Sequence, residues 1–335
     1  MRWQRFISVL KARDREFVRD RSALAWNIIF PLLIIIGFAF AFTGDELDQY
    51  KVGVIYQPDI EKISFYTTEY IHFIELVELD KADSINKVKR HQLDMLLDDE
   101  NKRYWVNDSS PSGYMLEKVL AGSGGADYRK QLVQGQQIRY VDWLIPGVLG
   151  MNMMFSALFG VGYVVVRYRK NGVLKRLKAT PLSALEFLAA QVVSRLWLIM
   201  AITTAVYIGC DLLIGFSMLG SYLSLFLVYA LGAFSMISMG LIVAARVKSE
   251  EMAGGLLNMM SWPMMFLSGV WFSLEGLHPW VQKLALIFPL THITQAARVI
   301  MLDGAGLIAV LPNLAALFVM SIIFLLLGVL LFRWE

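Results

Sequence analysis

The stretch RKNGVLKRLKATPLS, residues 169–183, holds five basic residues and no acidic one. Residues 143–166 before it carry no charge, and a second apolar run begins at Phe187. A helix needs about 20 apolar residues to cross a bilayer, so the basic stretch reads as a turn between two membrane spans. Asn171 and Gly172 open a short helix in which Val173, Leu174 and Leu177 alternate with Lys175, Arg176 and Lys178. Thr180 and Pro181 stop it, because the residue before a proline is pushed out of the α region. Two readings stand. Either a rigid cationic helix docks in a groove on a soluble partner, or a basic turn only fixes topology.

The surrounding chain has the composition of a polytopic membrane protein. Of its 335 residues, 57% are hydrophobic and 18% charged, against about 25% charged in soluble domains. A net charge of +3 implies no nucleic-acid partner, and the single cysteine, Cys210, excludes an intrachain disulfide. Uncharged runs occupy 23–44, 143–166, 196–210, 212–245, 252–274 and 304–332. The run 212–245 is too long for one span and breaks at GFSMLGS. Six transmembrane helices are predicted, near 23–43, 142–166, 187–213, 221–245, 252–274 and 305–332. Arg195, inside the third, is expected to snorkel to the interface. Buried at depth, it would be a functional candidate.

Seven Lys/Arg fall in the first 22 residues, six in 167–186 and two in 246–251, with none in 212–220. The positive-inside rule then predicts both termini in the cytoplasm and residues 44–141 outside. Ala39-Phe40-Ala41 resembles a cleavage site, but the apolar run is too long for a signal peptide, so the segment is read as a retained span. Residues 1–22 place Trp3, Phe6, Ile7, Leu10 and Phe17 near one helical face. That pattern predicts an amphipathic helix in the cytoplasmic interface, or else a plain positive-inside anchor.

Residues 44–141 form the water-soluble block and read as a small α/β domain. The pattern predicts a strand at 50–57, helices at 66–73 and 82–91, and two strands within 93–100 and 102–108 joined by an acidic turn. A helix interrupted at GSGG is predicted over 111–137. His72 and His91 match no metal-ligand spacing and read as surface histidines. Residues 275–303 are too polar to span. Pro279 and Pro289 sit where helices start, so two re-entrant half-helices are predicted, with a surface loop as the other reading.

No chemistry of an enzyme is visible. There is no G-x-x-x-x-G-K-[ST] phosphate loop, no H-E-x-x-H and no G-x-S-x-G, and Gly122-Ser123-Gly124-Gly125 lacks the following lysine. The chain is therefore expected to carry no catalytic residue, cofactor or metal. MNMMF (151–155) and NMMSWPMMF (258–266) gather seven of the 17 methionines. With Met154, Phe155, Asn258, Met259, Trp262 and Phe266 they make a candidate adaptable substrate surface, unless these methionines fill gaps between helices. A secondary transporter would need intramembrane acids or inverted repeats, and neither is present. A membrane-anchored sensor using residues 44–141 would leave the six spans unexplained.

Residues 169–196 resemble the first cytoplasmic loop of type-2 ABC exporter permeases. Gly172, Leu174, Leu177, Thr180, Pro181, Leu182 and Ser183 fit the family pattern, while Asn171, Val173 and Lys175 replace its acid, Thr and Glu. Residues 18–34, with an Arg-Asp pair and Pro31, resemble the start of the family's first helix. Residues 266–304 resemble its C-terminal signature through Ser268, Gly269, Pro279, Pro289, Leu290 and Arg298, with Trp271-Phe272-Ser273 in place of the usual Phe-Pro. One helix, an external domain and five further helices resemble the drug- and antibiotic-export branch.

The resemblance implies a permease subunit of an ATP-driven exporter in the bacterial cytoplasmic (inner) membrane. A second permease chain would form a homo- or heterodimer with it, and membrane lipids would surround both. ATP and Mg would be held by a separate ABC ATPase. Asn171, Gly172, Leu174, Lys175, Arg176, Leu177, Lys178, Thr180 and Pro181 would form the coupling helix seated in that ATPase. Trp271, Pro279, Pro289, His292 and Arg298 would close the outer end of the path.

Overall fold

Long apolar runs become helices because, without water, each backbone amide must bond within its own segment. The computed structural model describes residues 2–41, 50–55, 74–79, 81–89, 93–98, 100–108, 110–122, 125–133, 135, 139–274 and 277–334. The chain divides into two units, one formed by Met1–Ala41 with Tyr140–Glu335 and one by Phe42–Arg139.

The larger unit is helical. Helix α1 (Arg2–Arg19) and helix α2 (Arg21–Ala41) precede the smaller unit in the sequence. After it, α5 (Tyr140–Ala157) runs through a π-turn at Leu158–Tyr163 into α6 (Val164–Lys170), so that Tyr140–Lys170 is one rod of 31 residues. A short α7 (Val173–Lys178) leads to α8 (Ala184–Ile214), α9 (Tyr222–Arg246) and α10 (Glu250–Leu267). Helices α11 (Pro279–Ala285), α12 (Pro289–Asp303) and α13 (Leu311–Leu331) complete it. Helix α9 lies at the centre, packed against α5, the π-turn, α8, α12 and α13. Helices α2 and α13 are mostly exposed.

Among the described residues, five helices are long and apolar enough to cross a membrane, or six if the bent pair α11–α12 is one span. The expected membrane helices are therefore present in kind, but their division differs. The span predicted over 252–274 stops at Leu267, as an 18-residue helix that opens on Glu250 and Glu251 and falls outside the five. Residues 275–303 contain two helices of 7 and 15 residues set at 96°. Pro279 and Pro289 each take the first position of their helix, where the missing N–H costs nothing.

In the smaller unit the described strands form one five-stranded sheet in the order β2-β1-β3-β4-β5. They are β1 (Tyr50–Ile55), β2 (Ile74–Leu79), β3 (Met95–Asp98), β4 (Arg103–Asn107) and β5 (Arg129–Val133). Strand β1 runs parallel to β2 and β3, β3 is antiparallel to β4, and β4 is parallel to β5. Strand alternation splits the core into two layers. Val52, Val54, Met95, Leu97, Tyr104 and Val106 pack with Leu116 and Leu120 of α4 (Pro111–Gly122). Leu96, Trp105 and Val133 pack on the other face with Val88 of α3 (Lys81–Lys89).

Two expectations are corrected here. The helix predicted over 111–137 ends at Gly122, and its second half is β5, whose edge position suits the polar RKQLV. Strand β2 was not expected; IELVEL breaks strict alternation at Leu76-Val77, which leaves no clean strand period. The helix predicted at 66–73, His72 and His91 lie outside the described residues.

Candidate functional site: the basic turn between two apolar helices

The turn is built by a left-handed glycine and two caps. Gly172, at φ 70°, is the N-cap of α7, a conformation glycine adopts without steric cost. Its N–H donates to Arg169 O at 3.1 Å while Arg176 N donates back to Gly172 O at 3.1 Å. The six residues of α7 then end where Thr180 Oγ1 and Thr180 N both donate to Leu177 O, at 2.6 and 3.0 Å. Ser183 and Glu186 form a reciprocal capping box that starts α8. This S-x-x-E signal is legible in the sequence but was not used.

The faces of α7 are sharply divided. Leu174 is fully buried within its own chain and Leu177 is half-buried, whereas Asn171, Lys175, Arg176, Lys178, Thr180 and Pro181 are exposed. Leu174 therefore anchors the turn to its own helices, and the surface offered outward is mainly cationic. Arg5 of α1 donates to Pro181 O, tying the N-terminal helix to the same turn.

Helix α1 does not present its apolar face freely. It packs against α8, with Phe17 buried and Phe6, Ile7 and Leu10 half-buried, while Trp3 is exposed. Three charged residues near Phe17 bond to neighbouring helices, of which Arg13 is buried. Asp14 Oδ1 accepts from Ser194 Oγ at 2.5 Å and from Trp197 Nε1 at 3.1 Å. Glu16 accepts from Tyr168 and pairs with Arg167 at 3.3 Å and with Arg13 at 2.9 Å.

Arg13 and Arg195 converge on the π-turn. A π-turn shifts carbonyls out of the α register, and in a water-poor interior those oxygens need donors. Arg13 Nη2 donates to Gly160 O at 2.8 Å, and Arg195 Nε donates to Ser156 O at 2.8 Å. The Arg195 guanidinium also lies over the Phe17 ring at 4.9 Å. Arg195 was expected to snorkel; it is instead only 6% exposed, because the acceptor it serves is inside the helical unit. Only glycine leaves it room, since a Cβ on residue 160 would stand 2.1 Å from Arg195 Cζ. From Ser156 the polar chain continues to Asn27 Oδ1 at 2.5 Å, and Asn152 Nδ2 donates to Asn27 O at 3.2 Å.

The candidate path residues do not all share one surface. On α10, Met259, Trp262 and Phe266 are exposed, with Asn258 beside them, opposite the buried Leu257, Ser261, Met264 and Met265. Trp262 stacks on Phe266 at 6.1 Å, and Asn258 Nδ2 donates to Gly254 O at 2.9 Å. Met154 is fully buried within the helical unit, and half-buried Phe155 packs on Phe159 at 6.1 Å.

The candidate gate residues also separate. Arg298 and Trp271 meet in one cluster. Arg298 lies 3.4 Å above the Trp143 ring and donates to Trp143 O at 3.1 Å and Val270 O at 3.4 Å. Tyr140 Oη donates to Trp271 O at 2.6 Å, and Phe38 packs on both Tyr140 and Trp271. His292 faces elsewhere, with Nδ1 3.0 Å from Asn313 Oδ1 and Nε2 2.9 Å from Leu286 O. Pro289 is buried at the start of α12, and Pro279 is exposed at the start of α11. Phe38, Tyr140 and Trp143 were missed, being dispersed in sequence among ordinary span residues. Among the described residues no cluster of His, Cys, Asp or Glu is arranged to hold a metal ion.

These features define a class: a polytopic helical membrane protein with a capped basic turn between two long helices and a bent helix pair before its last span. Residues 91–302 match the family "ABC-2 type transporter", and the chain belongs to that family. It is 27% identical over 188 residues to "Inner membrane transport permease YhhJ" of Escherichia coli (strain K12), covering 54% of this chain and 49% of that one. The chain thus spans about half the length of that relative. It is 20% identical over 363 residues to "Probable multidrug ABC transporter permease YbhS" of the same organism, covering 96% of this chain and 95% of that one. A shorter similarity, 27% over 169 residues, links it to "ABC transporter G family member 20" of Dictyostelium discoideum, 23% of which is covered.

Proposed function

We propose that this chain is the permease subunit of an ATP-driven exporter of hydrophobic or amphipathic compounds, worked by a separate ATPase subunit that docks on residues 171–181. The observation that carries this reading is the build of α7. It is a six-residue helix with exposed Lys175, Arg176 and Lys178, held to its own chain by Leu174, opened by the left-handed Gly172, closed at Thr180 and set between rods of 31 residues each. A stiff, charged projection of that kind suits the transfer of displacement better than a loop that fixes topology alone. ATP and Mg belong to the partner in this reading, which accords with the missing phosphate loop.

The orientation follows the basic bias: α7 and both termini in the cytoplasm, residues 44–141 on the far side of the inner membrane. Two permease chains, alike or different, would face each other across the path, with lipid around them. The exposed stripe of Met259, Trp262 and Phe266 on α10 supports a path lined by adaptable apolar side chains. The cluster of Arg298, Trp143, Tyr140 and Trp271 would sit at its outer end.

The test is reconstitution of the chain with its ATPase in liposomes. The expected result is ATP-dependent movement of an amphipathic dye and a hydrolysis rate that changes with the compound supplied. Solute movement by the chain alone, unaffected by ATPase or nucleotide, would overturn the reading.

A further inference from the structure

Helix α10 carries the exposed path stripe, yet it is far along the chain from α7. Near α7 the two approach each other through the end of α6, while α10 also packs on the π-turn and α5. The last carbonyls of a helix have no partner within it and carry partial negative charge. At the end of α9 those oxygens are gathered by a single side chain. Arg169, in the last turn of α6, donates through Nη1 to Val247 O at 2.5 Å, and through Nη2 to Ala244 O at 2.9 Å and Ala245 O at 3.2 Å. The same Nη2 reaches Arg333 O at 2.8 Å, and Arg333 N in turn donates to Ala245 O at 3.2 Å. One guanidinium thus joins α6, the α9–α10 junction and the segment after α13.

Three further contacts, one from the last residue of the π-turn and two from α6, reach the first turn of α10. Tyr163 Oη donates to Glu250 Oε2 at 2.7 Å, and Lys170 Nζ lies 3.5 Å from Glu250 and 3.6 Å from Glu251. Only Asn171 and Gly172 separate Lys170 from α7. Arg169 and Lys170 of α6, with Tyr163 just before it, thus all hold the start of α10 or the end of α9.

We propose that Arg169, assisted by Tyr163 and Lys170, is a positioning residue that makes the α6–α10 junction the joint through which α7 moves the path helix. The proposal rests on the reading of α7 as an ATPase-docking helix. Its role needs the forked guanidinium, because an ammonium cannot span four carbonyls in fixed directions.

The experiment uses the full chain with its ATPase in liposomes, in a Cys210→Ala background carrying a Met259→Cys probe on the exposed face of α10. Two quantities are read: transport per ATP hydrolysed, and the rate of maleimide labelling of the probe with and without trapped nucleotide. Without a joint mutation, labelling depends on nucleotide. With Arg169→Gln the ATPase still co-purifies and hydrolyses ATP near the unmodified rate. Transport per ATP falls about tenfold, a size typical of coupling between distant sites, and labelling loses its nucleotide dependence. Arg169→Lys behaves like Arg169→Gln. The double variant Tyr163→Phe/Glu250→Gln leaves Arg169 in place and gives the same changes in weaker form, and it carries the test should Arg169→Gln not fold. Unchanged transport per ATP and unchanged nucleotide-dependent labelling in a folded variant overturn the joint. If the chain without joint mutations does not bind the ATPase, the docking reading falls first, at the purification step, and the joint falls with it.

Discussion

The two ends of the helical unit hold their arginines differently. At the end of the basic turn, Arg13, Arg169 and Arg195 each donate to main-chain oxygens of another segment, lying in or just before the π-turn or at a helix end. At the bent-pair end, Arg298 also donates to two main-chain oxygens, but it sits much closer to a ring, 3.4 Å above Trp143, within an aromatic group that includes Phe38, Tyr140 and Trp271. Hydrogen bonds to carbonyls fix direction as well as distance, whereas a cation over a ring tolerates sliding. The first end thus ties its helices chiefly through directed bonds, and the second adds a close ring contact to them.

The largest test of this contrast is Gly160→Val. Its side chain would occupy the place of the Arg195 guanidinium and displace both the Ser156 bond and the packing on Phe17, at a cost of about 3 kcal/mol, the upper range of overpacking. Thermal unfolding in detergent would read it, and an unchanged midpoint would show that the π-turn is not a fixed point. Arg298→Ala follows, with an expected loss of about 2 kcal/mol from the ring contact and the two carbonyl bonds. Equal losses for Arg298→Ala and Arg298→Lys would indicate that the flat guanidinium, not the charge, supplies the stability.

An ion pair in the smaller unit gives the contrast a baseline. Lys130 bonds Glu117 at 2.7 Å and holds its carboxyl below the usual range, while Tyr104, buried and bonded to that carboxylate, has its hydroxyl pushed up to about 12. A depressed carboxyl contributes stability that is present above its unfolded value of about 4.3 and is lost as pH falls through the folded value. Because Lys130 is 38% exposed, the loss should stay under about 1 kcal/mol. Amide exchange of α4 and β4 in the full chain, followed from neutral pH into acid, would measure it. The smallest effect on stability belongs to Lys175→Glu/Arg176→Glu. These exposed changes should cost no more than about 0.5 kcal/mol each, yet abolish co-purification of the ATPase. Retained binding with reversed charge would remove α7 from the docking surface.

The sequence made the helical elements legible because an uninterrupted apolar run admits few alternatives in a bilayer. The basic turn was legible for the opposite reason: Gly172 and Thr180-Pro181 are local stop signals whose meaning needs no tertiary context. Arg195 was misread because its environment depends on the π-turn at Leu158–Tyr163, for which LFGVGY gives no periodic sign. The path residues divide between two settings because methionine runs mark both surfaces and interiors: Met259 is exposed and Met154 is buried within the chain. Strand β5 was obscured because α4 was expected to resume after GSGG, and β2 because IELVEL, with Leu76 and Val77 adjacent, carries no clean two-residue period. Arg169 lay in plain view, but its carbonyl partners sit 75 to 164 residues away in the chain.

The inward turn of Leu174 has one more consequence. A peg that keeps its best apolar side chain for itself grips through charge, and charge between exposed groups is screened over about 8 Å at physiological ionic strength and about 3 Å in molar salt. In the docking proposed above, raising the salt should loosen the ATPase from the permease well before it loosens the helices from one another, so the two halves of such a machine would separate in a brine that leaves each of them whole.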